Sequence, residues 1–182
     1  MSKSTSGLFK NTKGFRTFVQ NNYSPEEIIA NRVQNLDTKA HPLKYKILSN
    51  KAKSLLKQKL NDRTITKAEY ILLQSNLRLT DRRMRAVVEF WDKEATRIII
   101  GAPTTRNWSE SQKNDILHGR KPKHNGKTIN AHHTYSVKNY PHLANRHEVI
   151  FPATFNEHLN GWHGGSFKRS KAGKQIKIIK EF

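Results

Sequence analysis

Cysteine is absent from the 182-residue chain, which excludes a disulfide framework and any thiolate-held metal. A metal bound by this sequence must use His, Asn, Asp, Glu or water. Acidic side chains are scarce: 14 Asp and Glu against 34 Lys and Arg leave a formal charge of +20. An excess of that size points to a polyanionic partner, with nucleic acid ahead of an anionic membrane surface or an acidic protein. A merely solvated basic face explains a modest excess better than this one. Long apolar runs are missing too. The longest aliphatic run, Ile98 to Ile100, cannot span a bilayer, and the opening MSKSTSGLFKNTKGF lacks the apolar centre of a secretory signal. The chain as given reads as a soluble protein, not a membrane one, without a classical export signal of its own. Its length suffices for one compact domain or two small ones.

Residues 1–20 are rich in Ser, Lys, Thr and Gly without sustained periodicity and read as a flexible basic arm. Ser24-Pro25-Glu26-Glu27 then supplies an N-cap, a proline at the first helical position and a capping-box glutamate. A second helix is expected over about 43–60, and Thr66 with Glu69 repeats the capping-box spacing. From Asp81 onward, Met84, Val87, Val88, Trp91, Ala95, Ile98 and Ile99 recur at helical spacing and predict a long amphipathic helix with one buried stripe. Its aromatics read as core, and its other face carries Arg82, Arg83, Arg85, Lys93 and Arg97, either tracking phosphates or solvated. Gly101-Ala102-Pro103 ends it, and Ser109 with Gln112 caps a short helix finishing at Gly119.

Beyond Gly119 the texture changes. Asn125-Gly126 marks a tight turn, and Thr128 to His132 alternates as a strand delivering His132 at its end. After a long loop, Glu148 to Phe151 reads as a second strand, and Thr154 with Glu157 caps a short helix carrying His158 and Trp162 before Gly164-Gly165. Eight of the nine histidines fall between His118 and His163, where an even spread puts about two, so this window reads as a site. Cutting a phosphodiester requires a base to activate water, a cation to neutralise the phosphate, and positive charge to hold the backbone. Adjacent strand residues point in different directions, so His132 and His133 can do different jobs, one holding a metal and the other facing a water. His158 returns from the far side of the hairpin. His118, His124, His142 and His147 read as surface or nucleic-acid-contacting groups.

The stretch AHHTYSVKNYPHLAN followed by EVIFPATFNEHLNGWHGG resembles the GHH type of the HNH and endonuclease VII superfamily, the ββα-metal (His-Me finger) nucleases found at the C-termini of polymorphic bacterial toxins. HPLKYKILS, PTTRNWSESQ and DILHGRKPKHNGK upstream resemble the segment before that core in toxins of Gram-positive bacteria, including those with LXG-type export modules. The likeness spans about 41–175, with its specific motifs within about 127–165. It implies an α+β fold: a helical extension over 21–117, then a ββα-metal nuclease core with a basic tail over 118–182. Position by position, it implies His132 as a metal ligand, His133 as the general base, Asn145 as the residue orienting that base by a hydrogen bond, and His158 as the helix-borne ligand. His163 is implied as a further ligand or a phosphate contact. Apart from the resemblance, Lys127, Lys168 and Arg169 are expected nucleic-acid contacts. Ala131 stands where the family has glycine. On an α-helix the five-residue step from His158 to His163 turns by about 140°, which separates the two unless the helix ends at Trp162.

The resemblance further implies a monomeric, metal-dependent, largely sequence-indifferent DNase, secreted within a bacterial toxin, acting in the target-cell cytoplasm and neutralised by an acidic immunity protein. Imidazole ligands favour zinc, nickel or manganese over magnesium, which suits sites with few protein ligands. The same motif also fits an RNase. A phage-type or housekeeping nuclease without an immunity partner, and a non-catalytic basic module with structural histidines, are the other readings.

Overall fold

The computed structural model describes residues 23–182; the basic arm expected over 1–20 lies outside them. Among the described residues, four α-helices precede the strands: α1 (Pro25–Arg32), α2 (Asn50–Asn61), α3 (Lys67–Ile99) and α4 (Glu110–Leu117). Ser24, Thr66 and Ser109 each close a capping box with the residue three positions on, satisfying amide donors that helix geometry leaves open. Strands β1 (Lys123–His124) and β2 (Lys127–Thr128) form a hairpin whose turn residues, Asn125 (φ 48°) and Gly126 (φ 74°), both take the left-handed conformation that a type I′ turn requires. Strand β3 (Asn130–His133) then pairs antiparallel with β4 (Ile150–Ala153), setting His132 opposite Phe151 and His133 opposite Ile150. A π-helix, Glu157–Trp162, follows. The order is that of an α+β protein with a ββα core.

Three expectations shift. The second helix starts at Asn50, capped by Ser49. The second strand starts at Ile150 because His147–Val149 form a 3-10 turn. The segments opening at Thr66 and Asp81 are one 33-residue helix, α3, and its buried stripe runs through Leu73, Asn76, Leu79, Ala86, Phe90 and Glu94. Met84, Val88 and Ile99, assigned to the core by their spacing, are more than half exposed. Periodicity weighs hydrophobicity alone, whereas this stripe includes a carboxylate and an amide whose buried partners come from elsewhere. The Glu94 carboxylate accepts from the Thr105 amide and hydroxyl, from Trp108 Nε1 at 2.8 Å and from Arg97 at 2.7 Å.

The helical part and the hairpin share their cores. Ile29 of α1 and Val33, at its C-cap, pack with Tyr135, Leu143, Val149, Phe151 and Trp162, and Ala86 and Phe90 of α3 pack with Ile150. Arg106, in the segment after α3, ties the two parts together. Its guanidinium meets the Glu157 carboxylate twice, at 2.6 and 2.7 Å, and also donates to the carbonyls of Pro152 and Phe182. Glu157 in turn accepts from the Thr154 amide at 2.9 Å, so the start of the π-helix is fixed against β4. Burial works to raise the Glu157 carboxyl, but the hydrogen bonds and charge of Arg106, with the amides of Glu181 and Thr154, together outweigh it and hold it below the ordinary value.

Candidate active site

Ala131, His132 and His133 follow one another on β3, and successive strand residues point to opposite faces. Ala131 packs toward Ala86, Phe90 and Ile150, so His133 shares the α3 side and His132 takes the other. There the His132 ring lies 4.5 Å from His158, 5.1 Å from Trp162 and 5.1 Å from His163, centroid to centroid. One ring nitrogen from each of His132, His158 and His163 lies within 4.8 Å of the other two.

The five-residue step between His158 and His163 works because the helix is not an α-helix. The His163 amide donates to the His158 carbonyl at 3.2 Å, five residues back. This wider turn brings residue i+5 back over residue i, and such turns concentrate at functional sites. The 140° separation expected for α geometry therefore does not arise. Widening leaves the Gly161 carbonyl to accept from the amides of Ile176 and Lys177, at 2.8 and 3.0 Å. Gly164 turns the chain out at φ +56°, where a Cβ would come within 2.8 Å of Ile176, so glycine is required there on two counts.

Hydrogen bonds fix two of the four tautomers. His163 Nδ1 lies 2.5 Å from the Arg169 carbonyl and His133 Nε2 lies 3.1 Å from the Ala144 carbonyl. A carbonyl only accepts, so these nitrogens carry the protons, leaving His163 Nε2 and His133 Nδ1 with free lone pairs. Burial foremost, then His158, His163, His133 and Arg83, pushes His132 well below the ordinary imidazole range. Burial and then Arg83 bring His133 to about 4, against a smaller upward pull from the Ala144 bond. His158 is likewise lowered to about 4, by burial and then by His163. At neutral pH all three are uncharged bases, the state that binds a cation or accepts a proton.

Two clefts, of about 480 and 680 Å³, meet at Arg83, Ala131, His133 and His158. Lys168 lines the larger with Lys138, and Lys121 lines the smaller. Lys127 is exposed on β2 and lines neither, while Arg169 reaches the cluster through its carbonyl. Asn145 departs from expectation: the bond to the His133 ring comes from the backbone of Ala144, and the Asn145 side chain instead accepts from Arg82 at 2.8 Å. Arg82 also donates to the His142 carbonyl at 3.2 Å, so Arg82 and Asn145 pin the loop that holds His133. Arg83 was legible only as one cation of an undecided face. It falls between Leu79 and Ala86 in the register of the buried stripe, and a cation in that register was the available signal.

Residues 74–153 match the model of a family described as GHH signature containing HNH/Endo VII superfamily nuclease toxin. The matched segment holds α3 from Gln74, the hairpin and both strand histidines, and ends before His158 and His163. No curated protein and no solved structure matches the chain. No helix among the described residues is long and apolar enough to cross a membrane.

Proposed function

We propose that the protein, whose residues 74–153 match the model of GHH-signature HNH/Endo VII superfamily nuclease toxins, is a metal-dependent endonuclease that hydrolyses DNA with little regard for sequence. One juxtaposition carries this reading. Three imidazole nitrogens converge within 4.8 Å, and beside them stands His133 with Nδ1 freed by the Ala144 carbonyl.

The donor set fits a divalent cation: three imidazole nitrogens, one with its tautomer fixed by a second bond, and no acidic group in the cluster. That softness favours zinc, nickel or manganese over magnesium. His132, His158 and His163 would hold the ion, which would supply positive charge toward the scissile phosphate and the leaving oxygen. His133 Nδ1 takes a proton from water as the water oxygen bonds to phosphorus. The phosphorus bond to the leaving sugar oxygen breaks, and that oxygen is protonated from solvent. Arg83 supports the phosphate where the clefts meet, and Lys168, Lys138 and Lys121 hold the strand through contacts blind to sequence. Asn145 acts as a positioning residue through the loop, not on the ring. Such an enzyme endangers its producer, so an acidic immunity protein complementary to the +20 charge is the expected partner. Delivery within an exported toxin and action in the target-cell cytoplasm follow from the same reading.

The test is plasmid nicking by the EDTA-stripped protein with magnesium, manganese, zinc or nickel restored singly. His133→Ala is expected to lower the rate about 10²- to 10⁴-fold with the folded state intact. Undiminished nicking by that variant removes His133 as the base. Cleavage of total RNA but not plasmid moves the substrate to RNA.

A further inference from the structure

The smaller cleft, beside α3, carries more apolar surface than hydrolysis of a phosphodiester uses. Met84, Val87 and Phe155 line it, with Met84 57% and Phe155 54% exposed. Phe155 stands three residues before His158, and the cleft shares Arg83, His133 and His158 with the larger one. Apolar wall and hydrolytic site are therefore continuous. A phosphate or sugar gains little from a phenyl face and a thioether. A nucleobase gains from both, because its π face stacks on an aromatic side chain whatever its identity. In a continuous duplex those faces are covered by neighbouring bases, and they open only when a nucleotide is unpaired or turned out. The remaining lining agrees. Arg83 and Lys121 place positive charge for the phosphates on either side of such a nucleotide, and Asn130 offers both a donor and an acceptor to a base edge. The volume, about 480 Å³, lies within the range of small-ligand pockets.

We propose that this cleft is a nucleobase subsite, receiving the unstacked base of the nucleotide that adjoins the scissile phosphate, against Phe155 and Met84. The inference rests on the nuclease reading and adds a substrate class to it: single strands and unpaired junctions are cut in preference to continuous duplex.

The experiment compares a short labelled DNA strand, the same strand with one base replaced by an abasic sugar, and the matching duplex, with manganese as the added ion. The wild-type protein is expected to cut the phosphate beside the abasic sugar about tenfold more slowly than the same phosphate in the intact strand, the order of one base–aromatic stack. Phe155→Ala, at an exposed position, is expected to cut both at the same slowed rate, and Phe155→Trp to restore the difference. The duplex should be cut more slowly than the strand, with the gap narrowing in Phe155→Ala. Equal cutting of intact and abasic strands by the wild type overturns the subsite and leaves the nuclease standing. Binding of both strands to the metal-free protein, by fluorescence anisotropy, separates the other case. Weaker binding of the abasic strand without cleavage in any metal supports the subsite and overturns the nuclease.

Discussion

Glu157 and His158 are neighbours in the chain and belong to clusters of opposite kinds. Glu157 faces Arg106 across two hydrogen bonds of 2.6 and 2.7 Å, both side chains almost fully buried. Glu94, buried in α3, is surrounded in the same manner by Arg97, Thr105 and Trp108. In each of these clusters burial of a charge is offset by its opposite and by donors aimed at the carboxylate. His158 instead faces His132 and His163, bases of its own kind, and after burial the neighbouring imidazoles lower the proton affinity of His132 and His158 further. The first arrangement is complete within the protein. On the proposed reading a cation would complete the second, and the sign of the neighbours is what distinguishes the two.

The largest effect expected from breaking this contrast falls on the scaffold. Arg106→Ala leaves the Glu157 carboxylate buried without its counter-charge, which costs about 3 to 5 kcal/mol, and urea unfolding should show the midpoint falling accordingly. An unchanged midpoint would mean that the pair holds nothing together. The cluster should respond in the reverse sense. His158→Ala is expected to change the metal-free stability by no more than about 1 kcal/mol, yet to abolish the stabilisation that an added ion confers. For the wild type, zinc at 100 times its Kd should add about 2.7 kcal/mol. Thermal unfolding with and without zinc measures both. Equal zinc stabilisation in wild type and variant would remove His158 from the ligand set.

The same contrast explains what could be read in advance. Capping boxes at Ser24, Thr66 and Ser109, the Asn125-Gly126 turn and the paired strand histidines are local patterns, fixed by residues within a few positions of one another. The α+β character was legible for that reason, while the three histidines that the structure brings together were named by the family resemblance. Three features depend on contacts made over long sequence separations and were not. The buried stripe of α3 admits Glu94 because Thr105 and Trp108 reach it, while Met84 and Val88, apolar and correctly spaced, face outward. The π-helix depends on Ile176 and Lys177 taking up the Gly161 carbonyl, so α geometry was the natural and mistaken assumption for His163. The His133 ring is oriented by the Ala144 backbone, and a backbone acceptor leaves no mark on residue identity, whereas the family resemblance points to the side chain of Asn145.

The smallest effect comes from moving the scaffold's opposite-charge pairing out into solvent. Lys59 Nζ donates to Glu69 at 2.6 Å, joining α2 to the first turn of α3, and the Thr66 amide donates to the same carboxylate at 3.0 Å. The Lys59 bond foremost, and then the Thr66 amide, brings the Glu69 pKa down to about 2 from its ordinary 4.5. Because the folded-state value is the lower one, the unfolded chain binds the proton more readily between these limits. The pair's contribution is therefore fully present above about pH 4.5 and is lost as the pH falls toward 2. Glu69→Gln abolishes this titration but keeps an acceptor for the Thr66 amide. Melting temperatures followed from pH 6 to 2.5 should fall more for the wild type than for the variant, by a margin that shrinks with added salt because the pair is exposed. Parallel curves would show that Lys59 and Glu69, unlike Arg106 and Glu157, are neighbours without being partners.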